Sequence, residues 1–317
     1  MIAQSQGEMR RNVVYGYRAA IVLLAVLGFF AGDVSAQAHE SVPVTKKQPE
    51  RVGWLDYWRQ ATVSFGAIER DQYGQQYYKA IGTGIVFTTN PKSGYIITAK
   101  HVVYDPARNY HPSEIRVRFP WQESESVYKQ YGTVVILRDA SGADLWRALD
   151  DGSDIAAIPL APSMNGQPAA AAGSVAQSEE VFEGESIITL GYPGIVGREY
   201  LIRAISRGGI IAWLNPQNPH DSRFLIDCNV YPGNSGGPVI LVPGGFDKFG
   251  NFNVGGRPAL LGIVVEAPGQ SQEVSLNVPG VRTPLILHQE IPVGGTGVVE
   301  PVSKVSKLLQ SLEAKAP

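Results

Sequence analysis

Short apolar runs rich in β-branched residues are the feature that most limits the fold of this chain. From Trp54 onward these runs are only a few residues long, and Gly, Pro, Asn and Asp separate them. A helix needs roughly ten or more residues of apolar periodicity, so runs of this length favour strands. The sequence therefore predicts a mainly β protein. The clearest runs are 83–87, 95–98, 133–137, 155–158, 186–190, 209–212, 224–226 and 260–265.

Composition supports a folded chain and excludes several classes of protein. Hydrophobic residues make up 44% of the 317 residues, which is enough to form a core. The formal net charge is −2, so the chain lacks the positive charge with which polybasic proteins bind nucleic acid. A single cysteine excludes an internal disulfide and a thiolate zinc cluster. We expect no metal and no cofactor.

Residues 1–36 have the features of a secretory signal peptide. Three arginines precede an apolar run at 19–31, and small residues allow cleavage after Ala36 or Ala38. The apolar run is shorter than the roughly 20 residues that span a bilayer, which favours a cleaved signal over a retained membrane anchor. We therefore expect an exported protein, periplasmic or secreted, with no stable membrane span after signal removal.

The rest of the chain divides at changes in composition. Residues 37–53 are polar and predict a flexible lead-in to one folded unit at 54–317. Residues 161–179 are rich in Pro, Ala, Gly and Ser and predict a connector. This connector would separate a first β half at about 54–160 from a second at about 180–300.

Two further segments stand out in the second half. Residues 243–258 are rich in Gly and Pro and predict a long loop. Apolar residues recur at helical spacing near the C-terminus and predict one amphipathic helix at 301–314. These residues are Val302, Val305, Leu308, Leu309 and Leu312.

The sharpest motif is Pro-Gly-Asn-Ser-Gly-Gly-Pro at 232–238. Glycines on both sides of Ser235 allow a tight turn that exposes the hydroxyl and directs amide N–H groups into one space. A serine hydroxyl is a weak nucleophile, so it needs a general base and a carboxylate that orients the base. His101, at the end of a predicted strand, and Asp154, at the start of another, are the candidates.

The three segments resemble those of the trypsin-like (chymotrypsin-fold) serine proteases, and their order His, Asp, Ser is the same. In that family the histidine follows Thr-Ala-x, as at 98–101, and the aspartate begins Asp-Ile-Ala, as at 154–156. The run 227–238 is similar to the signature of the bacterial Deg/HtrA-like branch. The resemblance covers about residues 60–312. Other similar segments are Gly82-Thr83-Gly84, Gly191-Tyr192-Pro193, 208–210 and 297–301.

The resemblance implies an all-β fold of two antiparallel β-barrels with a C-terminal α-helix. His101 and Asp154 would come from the first barrel and Ser235 from the second, with the site between them. It implies that Ser235 is the nucleophile, His101 the general base and Asp154 its orienting acid. The amides of Gly233 and Ser235 would form the oxyanion hole. The function implied is an exported serine endopeptidase that acts on polypeptides through an acyl-enzyme.

The resemblance also bears on activation and specificity. Asn234 stands where the pancreatic branch has an aspartate, which argues against activation by a new N-terminus. The segment after Ser235 is expected to complete the second barrel and the helix, which leaves no room for a PDZ domain. By the same resemblance Asn229 lies at the base of the primary pocket, lined by Val265 and Ala267. An aliphatic or small residue is therefore expected before the scissile bond.

Alternatives remain at this point. Ser235 could lie in a structural turn, His101 could be a buried structural histidine, and Asp154 could be a turn residue. Asp144, Asp150 and Asp151 compete for the role of the acid. A protease-fold binding module with little turnover is a second hypothesis, and a negative φ at the first glycine of the serine turn would favour it. An α/β-hydrolase esterase is rejected, because its triad order is Ser, Asp, His.

Several other residues receive no role in chemistry. Lys100 should point away from the neighbouring histidine if the segment is extended. Cys228 is expected to be a small buried hydrophobic residue. The remaining histidines lack metal-ligand spacing and are expected in loops or on the surface. They are His39, His111, His220 and His288.

Overall fold

A computed structural model describes most of the chain beyond residue 52. The predicted signal peptide and lead-in lie outside this part, apart from Gly53. No helix within it is long and apolar enough to cross a bilayer. The described residues are 53–90, 93–124, 127–160, 169–171, 175–176, 181–195, 200–242, 244–253, 256–267, 269–276, 285–292 and 295–314.

The first half forms an eight-stranded sheet. Its strands run in the order β5-β4-β1-β2-β3-β7-β6, and β8 pairs in parallel with β2. The backbones of Arg138 and Asp144 form an isolated antiparallel β-bridge. This β-bridge links the chain that follows the edge strand β5 to the chain that precedes the other edge strand, β6. The strands are β1 (Thr62–Arg70), β2 (Gln76–Asn90), β3 (Ser93–Ala99), β4 (Glu114–Ser124), β5 (Val127–Ile136), β6 (Arg147–Ala148), β7 (Ile155–Pro159) and β8 (Ala170–Ala171).

The second half forms a closed six-stranded antiparallel barrel in the order β10-β11-β18-β15-β12-β9. Two additional hairpins, β13–β14 and β16–β17, extend from it. The barrel, the sheet and the C-terminal helix confirm the predicted fold class. The strands are β9 (Ser186–Gly191), β10 (Ile205–Trp213), β11 (Phe224–Asp227), β12 (Pro238–Leu241), β13 (Gly245–Phe246), β14 (Phe252–Asn253), β15 (Ala259–Glu266), β16 (Gly269–Leu276), β17 (Leu285–Pro292) and β18 (Thr296–Pro301).

The segments predicted as connector and long loop contain regular structure. Within the connector, β8 joins the first sheet, and the backbone of Val175 forms an isolated parallel β-bridge with Leu260 of the second barrel. Within the predicted loop, β13 and β14 form a short hairpin. Its turn is held by Asp247, whose carboxylate accepts the amide N–H groups of Phe249 and Asn251. Asp residues stabilise tight turns through such local hydrogen bonds, which explains a hairpin in a Gly-rich segment.

Helix α1 (Trp54–Ala61) is not predicted by the sequence analysis. Its Trp58 is 1% exposed and packs in a hydrophobic cluster that includes Tyr192 from the second half. Arg59 also donates a hydrogen bond to Ser206 Oγ, at 2.9 Å. An isolated segment of this length does not form a stable helix in water, so these tertiary contacts stabilise α1.

Helix α2 (Val302–Glu313) confirms the helical spacing seen in the sequence. Val305, Leu308 and Leu309 are buried in a hydrophobic cluster that includes residues of β7 and of β15. Ion pairs add to this packing on the polar face. Lys304 contacts Asp151 at 2.8 Å, and Lys307 contacts Asp221 at 2.7 Å. The helix is therefore tied to the loop that leads to Asp154.

Burial of the apolar face should account for most of the stability that α2 contributes. Replacing Leu308 with Ala removes buried methyl groups and leaves a cavity, so Leu308→Ala should lower the free energy of unfolding by about 2–5 kcal/mol. Gln310→Ala, at an exposed position of the same helix, should change it by less than about 0.5 kcal/mol. Urea unfolding measures both variants, and equal effects would contradict the docking of α2.

The ion pair between Lys304 and Asp151 should contribute stability only where the carboxylate is ionised. The hydrogen bond from Lys304 holds the pKa of Asp151 below its usual range. The stabilisation is thus complete above the unfolded-state pKa of about 3.9 and is lost as the pH falls through the folded-state pKa. Lys304→Met should cost at most about 1 kcal/mol at neutral pH, because the pair is partly exposed.

Urea unfolding at pH 7 and pH 3 measures this effect, with Lys248→Met on the exposed β13–β14 hairpin as control. The difference between Lys304→Met and the unmodified chain should shrink on acidification. A difference that grows at low pH would show that Lys304 stabilises the helix in another way.

Candidate active site

His101 and Asp154 meet because β3 and β7 pair with Ala99 opposite Ile155. His101 lies in a single 3₁₀ turn, Lys100–Val102, directly after β3, and Asp154 directly precedes β7. Asp154 Oδ2 lies 2.6 Å from His101 Nδ1, and Asp154 Oδ1 accepts the His101 amide N–H at 3.0 Å. The carboxylate therefore holds both the ring and the backbone of the histidine. With Nδ1–H as the donor, Nε2 is left with a lone pair that can accept a proton.

Two of the three competing carboxylates have other partners. Asp144 Oδ1 lies 2.8 Å from His111 Nε2, and Asp151 contacts Lys304. Asp150 is exposed. Asp154 is thus the carboxylate in contact with His101, and the pairing of His111 with Asp144 is one that sequence patterns do not indicate.

The backbone around Lys100 differs from the expectation of an extended segment. The 3₁₀ turn bends the chain, so the premise that Lys100 alternates with His101 along a strand is wrong. The Lys100 ammonium lies over the ring of Tyr104, 5.8 Å from its centroid. Its amide N–H donates to the carbonyl oxygen of Asp154 at 3.1 Å, which adds a third hydrogen bond between the two segments.

Ser235 is half-buried in the turn that leads into β12. Gly236 adopts φ +87°, and a Cβ at this position would overlap Thr83 O and Thr98 Oγ1. The turn therefore needs glycine here, both for its left-handed conformation and for its close approach to the end of β3. The serine turn packs against the strand that precedes His101. No hydrogen bond joins Ser235 Oγ to His101 among the described contacts, and such bonds often tighten only when substrate binds.

The amides expected to form an oxyanion hole are available. Within the described residues, neither Gly233 N–H nor Ser235 N–H donates a hydrogen bond to the protein. The Pro232 carbonyl accepts the Gly194 N–H at 3.0 Å. Because C=O and N–H point in opposite directions across a trans peptide, this bond turns Gly233 N–H away from Gly194. Gly233 has φ +96°, so the negative φ that would favour the binding-module hypothesis is absent.

Thr83 supports the serine turn from the first half of the molecule. Its Oγ1 donates to the Gly233 carbonyl at 2.6 Å and accepts the Tyr192 N–H at 3.0 Å. Its amide N–H donates to the Ser235 carbonyl at 2.8 Å. The side chain is fully buried, so each of these polar groups needs its partner. In the sequence, Thr83 stands out only as the centre of a Gly-Thr-Gly triplet, and no local pattern indicates these contacts.

The residues predicted to form the primary pocket are not alike in their surroundings. Asn229 is exposed, and its carbonyl accepts a hydrogen bond from Arg207 at 3.1 Å. Val265 is 3% exposed and packs with the core of the first half, because a β-bulge interrupts β15 at this residue. Ala267 is half-buried against the core of the second barrel. The pocket assignment remains a prediction, and Arg207 adds a positive charge beside Asn229.

Cys228 has the surroundings of a structural residue. Cys228 is 3% exposed and its Sγ lies 3.5 Å from Thr189 Oγ1. Burial raises the pKa of the Cys228 thiol, so it behaves as a buried hydrophobic residue and not as a reactive thiol. Within the described part of the chain, no cluster of three or more His, Cys, Asp or Glu side chains could hold a metal ion.

A model of the trypsin-like peptidase domain matches residues 82–245, which include His101, Asp154 and Ser235. A serine protease HtrA-like protein of Staphylococcus haemolyticus (strain JCSC1435) is 28% identical over 172 residues, which cover 50% of this chain. The match spans only 22% of that relative. It agrees with the HtrA-like branch that the motifs indicate. The chain belongs to the trypsin-like peptidase family.

Proposed function

We propose that this chain is an exported serine endopeptidase that hydrolyses polypeptides through His101, Asp154 and Ser235. The observation that carries the proposal is the contact between His101 Nδ1 and Asp154 Oδ2, beside a serine turn with free amides. A histidine oriented in this way can take a proton from a serine hydroxyl that is otherwise a poor nucleophile. The chemistry requires neither a metal nor a cofactor.

In the first half-reaction Ser235 Oγ attacks the carbonyl carbon of the scissile peptide. His101 Nε2 takes the hydroxyl proton as the Oγ–C bond forms, and the carbonyl electron pair moves to oxygen. Asp154 stabilises the imidazolium. The tetrahedral intermediate then collapses, the C–N bond breaks, and His101 gives its proton to the leaving amine. An ester on Ser235 remains.

In the second half-reaction a water molecule attacks the ester carbon. His101 takes a proton from the water as the new C–O bond forms. Collapse of the second tetrahedral intermediate breaks the bond to Ser235 Oγ, which receives the proton back from His101. A carboxylate product leaves and the enzyme is restored.

The developing oxyanion would be stabilised by the amides of Gly233 and Ser235. Each pre-positioned donor can lower the barrier by about 3 kcal/mol. The hydrogen bonds that Thr83 makes to the carbonyls of Gly233 and Ser235 support this role, because they fix the turn before substrate arrives. The positive φ of Gly233 supports turnover over the binding-module hypothesis.

The substrate would bind as an added strand beside β15, at 264–267. The sequence comparison with the family favours an aliphatic or small residue before the scissile bond. Export rests on the signal-like segment at 1–36, which favours action on polypeptides outside the cytoplasm.

Labelling with a fluorophosphonate probe tests the nucleophile. Ser235→Ala should abolish labelling and lower kcat for casein or a peptide substrate by a factor on the order of 10⁶, because no other hydroxyl can form the ester. Ser222→Ala, at a half-buried serine in the turn before β11, should label and cleave like the unmodified chain. Labelling and cleavage that persist in Ser235→Ala would overturn the proposal.

Substitution of Thr83 tests the support of the oxyanion hole. Thr83→Val removes the hydroxyl that bonds Gly233 and Tyr192, so kcat/KM should fall by about 10- to 100-fold. Thr83→Ser keeps the hydroxyl and should stay within about threefold of the unmodified chain. Peptide hydrolysis measures both variants, and urea unfolding verifies that each is folded. Equal activity of two folded variants would exclude this role for Thr83.

A further inference from the structure

Glu300 is a buried carboxylate that the reaction described above does not use. It lies in β18, and its side chain is 3% exposed. Its Oε1 accepts the Asp154 amide N–H at 2.9 Å and the Arg223 Nε–H at 2.7 Å. A buried charge is costly unless it is paired and hydrogen-bonded, so these two donors account for its presence in the core.

With the hydrogen bond that Glu300 accepts, the backbone and side-chain polar groups of Asp154 all have partners. The carbonyl of Asp154 accepts the Lys100 N–H, and its two carboxylate oxygens hold the amide and the ring of His101. The remaining polar group of Asp154 is its amide N–H, which donates to Glu300 and not to the histidine turn. Glu300 therefore holds the backbone of the acid at the one polar group that does not bond to the histidine turn.

Strand pairing in the second barrel also connects Glu300 to the serine turn. In the second barrel, Ile263 of β15 lies opposite Glu300 on one side and Pro238 on the other. Pro238 is three residues after Ser235. Glu300 in β18 and the serine turn that leads into β12 are therefore connected through β15, which pairs with both strands in one closed barrel. Asp154 and His101 instead flank strands of the first sheet.

We propose that Glu300 is a positioning residue that fixes the Asp154–His101 pair relative to Ser235. It does so by accepting, from its place in the second barrel, a hydrogen bond from the backbone N–H of Asp154, and this inference rests on the proposed function. Arg223 is the cation that balances the buried charge of Glu300, and its own side chain is half-exposed to solvent. Positioning depends on the length of the Glu300 side chain, which places an oxygen atom within hydrogen-bond distance of the Asp154 N–H. It does not depend on the negative charge of Glu300.

Two substitutions separate reach from charge. Glu300→Gln keeps an oxygen at the same distance and removes the charge, whereas Glu300→Asp keeps the charge and is shorter by one methylene group. We expect kcat to stay within about threefold for Gln and to fall by about 10- to 100-fold for Asp, with KM changed little in both. A role limited to charge pairing with Arg223 predicts the opposite order.

The low-field proton signal of His101 Nδ1–H gives a second readout that does not depend on turnover. It should match the unmodified chain in Glu300→Gln and be shifted or lost in Glu300→Asp. Urea unfolding verifies that each variant is folded. If Glu300→Asp does not fold, Glu300→Leu takes its place in the comparison with Glu300→Gln. Equal kcat and equal signals in folded variants would overturn the proposal, as would a greater loss for Gln.

The two proposals can fail separately. If the unmodified chain is not labelled by a fluorophosphonate, the proposed function fails, and the histidine proton signal still tests the positioning by Glu300. If it is labelled and hydrolyses peptide, but the Glu300 variants do not differ from it, only the positioning role is wrong.

Discussion

Strand β7 pairs with β3 so that Ile155 lies opposite Ala99, and this register carries Asp154 to His101. A shift by one residue would turn every side chain of the strand to the other face and separate the acid from the base. Four polar groups of Asp154 are then bonded at once, three to the histidine turn and one to Glu300. The acid is therefore a junction between the two halves of the molecule as well as a partner of the base.

The interface between the halves is specified by buried polar contacts. Thr83 reaches from β2 to the serine turn, and Glu300 reaches from β18 to the loop before β7. Apolar surfaces pack in many relative positions at similar cost, whereas a buried hydroxyl or carboxylate without its partner is costly. Helix α2 adds a tie from the outside, because Lys304 pairs with Asp151, three residues before the acid. These contacts together favour one arrangement of base, acid and nucleophile.

Much of this architecture could be predicted from local patterns. The short β-branched runs lie in the observed strands, since strand preference is carried by side chains within a few residues of each other. The spacing of Val305, Leu308 and Leu309 predicted α2 for the same reason. Helix α1 was not predicted, because it depends on Trp58 finding a partner far along the chain. The pairing of His111 with Asp144 and the bulge at Val265 are equally non-local.

Local sequence patterns are enough to establish the residue types and the order of a serine-protease motif, and they identify the glycines that a tight serine turn requires. Motifs of this kind are local, since Gly233 and Gly236 of the turn adopt a positive φ that other residues rarely reach. Which of four aspartates contacts His101 depends on the tertiary structure, because strand register brings distant segments together. The tertiary structure also revealed Thr83 and Glu300 as polar links between the halves. Their importance follows from burial, which no single position in a sequence displays.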